Sequence, residues 1–91
     1  MEMKGVCIVG MGTMGSQIGI VCARGGYKTS MVDTSAQQVE KGLNSIQSFL
    51  KGQVKKGKME QEMVDKMLSL IKTGTDLHEA VSRADLVIEE A

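Results

Sequence analysis

The chain has 91 residues, 42% of them apolar, and eleven lysines and arginines balance eleven aspartates and glutamates. That length allows one domain at most, or part of one, since domains cluster near roughly 100–150 residues. The even charge gives no global field to draw in nucleic acid or an anionic membrane, and no apolar run approaches the roughly 20 residues a membrane span needs.

The N-terminal "MEMKGVCIVG" lacks the length and cleavage site of a signal peptide, so the cytoplasm is the expected location. Val6-Cys7-Ile8-Val9 is a short unbroken apolar run, as expected of a strand covered on both faces of a parallel sheet. "VGMGTMGSQ" follows, with Gly10, Gly12 and Gly15, and Ser16 to Arg24 reads as a helix stopped by Gly25-Gly26. "YKTSMVD", from Tyr27 to Asp33, is a second strand that ends in a carboxylate. Ser35 with Gln38 three residues on has the form of a capping box. Val39, Leu43, Ile46, Leu50 and Val54 then recur at spacings of three and four, which makes one apolar helical stripe.

Gly57 breaks that pattern in the basic "KKGK" of Lys55–Lys58. A second helix runs from about Met59 to Leu70, with Met59, Met63, Met67 and Leu70 on one side and Val64 and Leu68 beside them, and the two helices form an antiparallel hairpin. "IKTGT" holds a short third strand, Asp76 with Glu79 caps a short helix through Val81, and "DLVIEEA" reads as another buried strand. Strands alternating with helices argue for a parallel α/β sheet. Cys7 and Cys22 show neither a CxxC nor a histidine at metal-ligand spacing, so both are expected as buried, reduced thiols, with no metal site.

Three glycines at a helix entrance cost helix stability, each about 1 kcal/mol relative to alanine. Between a strand and a helix they have a use. Gly10 permits the tight turn, Gly12 lets the backbone approach a pyrophosphate, and Gly15 lets the helix pack closely on the strand. The free N–H groups and positive dipole end of the helix then face the phosphates. Asp33 ends the next strand, near the spacing described for an acid that binds the adenosine ribose. Its charge would repel a 2′-phosphate, and Thr34 and Ser35 follow where an NADP site would recruit an arginine, so NAD is expected over NADP.

With those residues in place, "VGMGTMGSQIGIVCARGGYKTSMVD", "QVKKGK", "TGTDLHEAV" and "ADLVIEEA" resemble, in order and spacing, the N-terminal half of the NAD domain of 3-hydroxyacyl-CoA dehydrogenases, the short-chain 3-hydroxybutyryl-CoA enzymes of bacteria above all. The resemblance implies a Rossmann-type sheet and an enzyme of fatty acid metabolism. Its reaction would be oxidation of an L-3-hydroxyacyl-CoA to the 3-ketoacyl-CoA, with hydride passing to NAD. It carries Gly10, Gly12 and Gly15 over as pyrophosphate-loop residues, with Met11, Thr13 and Met14 lining the loop, Asp33 as ribose acceptor and Thr34 beside the adenosine. In the family a lysine of the helical hairpin contacts coenzyme A, and Lys56 matches it best, with Lys55 and Lys58 as neighbours. Three positions depart from the family pattern. Met11 replaces an alanine common between the first two glycines, Phe49 stands where some members have a serine, and Glu90 replaces a small residue.

The family's catalytic histidine and glutamate belong to segments beyond the equivalent of Ala91, and His78, in "DLHEAV", does not match the histidine, so no catalytic residue is assigned. Residues 1–91 are therefore expected to be the N-terminal part of the NAD domain, a truncated half-domain without the C-terminal substrate and dimerisation domain, and inactive alone. The expected architecture is a sheet of about four strands in order 3-2-1-4, with the 44–71 region as a protruding helical hairpin. Acyl-CoA would be the partner of the intact enzyme, a homodimer through the missing domain. The alternative is a non-catalytic NAD-sensing module, for which a lysine-tipped arm beside the site has no use. A methyltransferase fits less well, because its glycines would serve a ligand without a diphosphate.

Overall fold

A computed structural model describes residues 5–89. β1 (Gly5–Val9) leads through the glycine loop into α1 (Thr13–Arg24), and β2 (Lys28–Val32) leads into α2 (Ala36–Lys55) and α3 (Gln61–Leu70). β3 (Ile71–Gly74), α4 (Leu77–Ser82) and β4 (Leu86–Glu89) complete the series. Every strand pairing is parallel and the order is β3-β2-β1-β4, as the sequence predicts. Val9 lies opposite Val32, and Val32 opposite Gly74, so the C-terminal ends of three strands come level along one edge. The loops from those ends build the site.

Alternation along the strands feeds two unequal cores. Val6, Ile8 and Met31 join the helices α1, α2 and α3 in the larger one, whereas Cys7 and Val32 meet Ala80 of α4 in the smaller. Small residues let α1 lie close to the sheet, since Gly15, Gly19 and Ala23 are buried at a spacing of four. A Cβ at Gly19 would overlap the sulfur of Met31 and come within 2.6 Å of its terminal methyl. Close helix–strand packing, expected of Gly15, is thus shared with Gly19.

The caps follow the sequence. Ser35 Oγ accepts from the Gln38 N–H at 3.3 Å, and Asp76 Oδ1 accepts from the Glu79 N–H at 3.1 Å. α1 starts three residues earlier than the apolar pattern suggests, at Thr13. At its other end the Tyr27 N–H donates to Cys22 O at 3.1 Å and the Gly26 N–H to Ala23 O at 3.0 Å, which closes the helix by the Schellman pattern. α2 stops the same way at Gly57, where φ is +73° and the Lys58 N–H reaches Gln53 O at 2.9 Å. That left-handed residue turns the chain back into α3, and glycine alone adopts it without strain.

Ile46 and Leu50 of α2 pack with Val64 and Met67 of α3 in the main core, so the hairpin is anchored at its base. Its tip, Lys55–Lys58, is exposed. Val64 rather than Met63 faces inward; Met63 is 39% exposed. The expectation of a buried last strand is corrected. Leu86 and Val87 are half-exposed, because α4 packs over β1 and β2, and among the described residues β4 pairs with β1 alone. Glu90 and Ala91 lie outside the described residues. Among the described residues, no helix is long and apolar enough to cross a membrane.

Cys7 is fully buried, but Cys22 is only half-buried, which corrects its expected place in the core. Burial pushes both thiols above their ordinary pKa, with Arg83 pulling Cys7 weakly the other way. A raised pKa leaves less thiolate at neutral pH, and thiolate is the reactive form. Iodoacetamide at pH 7.5 should therefore modify Cys22 slowly and Cys7 only on unfolding. Equal modification of the two in the folded chain would contradict this packing.

Candidate functional site

The site starts where β1 ends. Gly10 adopts φ +113°, and its N–H donates to Val32 O at 2.7 Å, which swings the chain across the end of β2. A side chain at that φ would be strained. The Met11 N–H donates to Asp33 Oδ2 at 3.1 Å, while Asp33 Oδ1 accepts from the Ser35 N–H at 3.0 Å. Asp33 is fixed from behind as well, its own N–H donating to Gly74 O at 3.2 Å. Its carboxylate is half-buried, and each oxygen keeps capacity for a further donor. The acid is held ready beside the loop.

Gly12 is the N-cap of α1, in extended conformation, with its carbonyl accepting from the Ser16 N–H at 3.0 Å. Among the described residues no side chain caps this end, in contrast to α2 and α4. The N–H groups of the first turn, from Thr13 to Gly15, therefore lack intrahelical acceptors and carry the positive end of the helix dipole. α3 is also uncapped, but it begins beside the hairpin tip, whereas α1 begins at the C-terminal edge of the sheet. The strand order reverses between β1 and β4, and ligands of open α/β sheets bind at such a crevice. A bare, electropositive cradle with a carboxylate one strand away fits a diphosphate followed by a sugar.

The other expected loop residues divide. Thr13 and Met14 are exposed at the helix start and Thr34 is exposed beside Asp33. Met11 is 2% exposed, so the expectation of a larger side chain beside the diphosphate is corrected. Its side chain turns into the gap between the loop and α2, where Gly42 leaves room, and only its backbone can meet a ligand. The sequence reading missed the α2 face beside the loop. Gln38, Lys41 and Ser45 line a cavity of about 220 Å³ with Gly12 and Thr13. The polar spacing of 38, 41 and 45 was the available signal, overshadowed by the apolar stripe on the same helix.

A larger groove of about 420 Å³ runs between α1 and α2, from Thr13 and Ser16 past Phe49 to Gln53 and Met59. Phe49 is 48% exposed on its wall. Lys56 is not brought to the loop. It lies fourteen residues beyond Gly42, roughly 20 Å along the helix axis at 1.5 Å per residue, at the exposed tip. His78 is exposed on α4, which packs on the opposite face of the sheet from α1. Among the described residues, no cluster of histidine, cysteine and carboxylate side chains could hold a metal ion.

Known proteins resemble this chain in sequence and fold. Residues 5–91 match the family described as "3-hydroxyacyl-CoA dehydrogenase, NAD binding domain". The 3-hydroxyadipyl-CoA dehydrogenase of Escherichia coli is 36% identical over 94% of this chain and 18% of its own. A probable 3-hydroxybutyryl-CoA dehydrogenase of Bacillus subtilis is 34% identical over 98% of this chain and 31% of its own. The crystal structure of (S)-3-hydroxybutyryl-CoA dehydrogenase PaaH1 from Ralstonia eutropha superposes with a TM-score of 0.92 at 37% identity, covering 99% of this chain and 31% of that one. This chain thus spans less than a third of the length of each of these relatives. It belongs to the family of 3-hydroxyacyl-CoA dehydrogenase NAD-binding domains.

Proposed function

We propose that this chain supplies the diphosphate and ribose grip for NAD in an enzyme that oxidises L-3-hydroxyacyl-CoA, of short chain such as 3-hydroxybutyryl-CoA, to 3-ketoacyl-CoA. The observation that carries the reading is the uncapped α1 N-terminus at Gly12, set beside a carboxylate already hydrogen-bonded to the same loop. Gly10 permits the turn, Gly12 keeps a side chain out of the cradle, Gly15 lets α1 lie close to the sheet, and the N–H groups of Thr13 to Gly15 donate to the phosphate oxygens. Met11 contributes main chain only. Asp33 accepts from the ribose hydroxyls and excludes a 2′-phosphate, with Thr34 beside the adenosine. When bound, the nicotinamide supplies hydride acceptance.

Proton removal from the substrate hydroxyl requires a base within hydrogen-bond reach. Exposed His78, on the other face of the sheet, does not meet that condition, so the proton is taken by a group outside residues 5–89 and this chain alone is inactive. The acyl-CoA would lie toward the hairpin, where the exposed lysine tip meets its phosphates as point charges. An exposed charge pair is worth up to about 1 kcal/mol, so Lys56→Ala should weaken coenzyme A binding roughly two- to fivefold and leave NADH affinity unchanged. Calorimetric titration of both ligands checks this. Unchanged coenzyme A affinity would remove Lys56 from the site, and absence of NADH binding by the folded chain would overturn the cofactor assignment.

A further inference from the structure

We propose that Gly42 is a positioning residue for the nucleotide loop. By having no side chain, it fixes where Met11 lies and so where the neighbouring N–H groups point. The inference rests on the reading of Gly10–Gly15 as the diphosphate cradle. Gly42 is buried on α2, one turn before Ile46 and two before Leu50, both fully buried. A Cβ built on Gly42 would stand 2.9 Å from Met11 Cε, 3.0 Å from Met11 O and 3.1 Å from Met11 Cβ. The terminal methyl can swing aside. The carbonyl oxygen and Cβ belong to the loop's own framework and cannot yield unless the loop moves.

Neither side has slack. The Gly10 N–H is tied to Val32 O at 2.7 Å and the Met11 N–H to Asp33 Oδ2 at 3.1 Å, so the Met11 peptide is held between the end of β2 and the flank of α2. Ile46 and Leu50 hold α2 to the core. An added methyl would be accommodated by a loop shift of a few tenths of an ångström. A shift at Met11 moves the N–H that reaches Asp33 together with the adjoining start of α1. One residue of the flanking helix therefore governs both the phosphate donors and the ribose acceptor. Gly52 provides the comparison on the same helix, because no atom of the described residues lies within 4 Å of a Cβ built there.

Gly42→Ala and Gly52→Ala add the same helix propensity, so their difference isolates the contact with Met11. In the unliganded chain, Gly42→Ala should shift the backbone amide resonances of Met11 and Gly12, and Gly52→Ala should leave them in place. NADH affinity, read by nucleotide fluorescence, should fall about tenfold for Gly42→Ala, the scale expected when groups are misplaced by a fraction of an ångström. Gly52→Ala should leave it unchanged. A Met11→Gly background removes both carbon contacts, and there Gly42→Ala should cost clearly less than in the parent chain. Unmoved loop amides with unchanged NADH affinity, or an equal cost in both backgrounds, would overturn the inference. A parent chain that took no NADH would overturn the proposed function instead, while the amide shifts still decided whether Gly42 sets the loop.

Discussion

Asp33→Ala should weaken NADH binding by about 10- to 100-fold, the loss expected when hydrogen bonds to a charged acceptor are removed. Two effects combine. The ribose loses its acceptor, and the N–H groups of Met11 and Ser35 lose the carboxylate that organises them. NADPH binding should be unchanged or improved, because the charge opposing a 2′-phosphate has gone, so the preference for NADH narrows. Asp33→Asn is a sharper test of the second effect. Its single oxygen can serve Met11 or Ser35, and its amide then presents a donor to the other N–H, so asparagine should also bind NADH poorly. Fluorescence titration of both nucleotides against the three chains measures this. If the parent chain took NADPH as readily as NADH, Asp33 would not be the ribose acceptor.

Leu50→Ala should lower stability by roughly 3 kcal/mol, within the range for large-to-small changes in a core. In a domain of this size that corresponds to a fall of about 15 °C in the melting midpoint. Leu50 is fully buried in the larger core, while its neighbour Phe49 is 48% exposed. Phe49→Ala should therefore cost less than about 1 kcal/mol, as exposed substitutions do. The pair fixes the rotation of α2. Equal losses at the two positions would mean that the helix presents a different face, and with it that Gly42 and Lys41 do not face the loop.

Local signals in the sequence carried most of the fold. The Val6–Val9 run, the Ser35–Gln38 and Asp76–Glu79 caps, the stop at Gly57 and the strand order 3-2-1-4 all stand in the structure. The run, the caps and the stop each depend on residues a few positions apart, whereas the strand order follows from the Rossmann-type sheet that the family resemblance implies. The misses arise where two distant segments meet. Gly19 and Gly42 look like ordinary helix glycines until Met31 and Met11 are seen against them. Met11 likewise looked like a loop side chain, because nothing in "VGMGTMG" says that α2 passes close enough to bury it. The exposure of Leu86 and Val87 reflects which strand lies at the edge and where α4 stops, and an apolar strand pattern does not contain that information.

The placement of the glycines at the β1–α1 turn and of Asp33 at the end of β2 was legible because each is local to β1, β2 and that turn. Their mutual hydrogen bonding was not, since the 3.1 Å contact from the Met11 N–H to Asp33 spans 22 positions. That bond ties the loop to the end of β2, and the close approach of Gly42 to Met11 sets both against the flank of α2.

Amide spectra of the chain titrated with NAD test the central claim most directly. The resonances of Gly10, Gly12, Thr13, Gly15 and Ser35 should move together and saturate at one common concentration. Shifts confined to the β3–α4 surface, or no shifts in a folded chain, would contradict it.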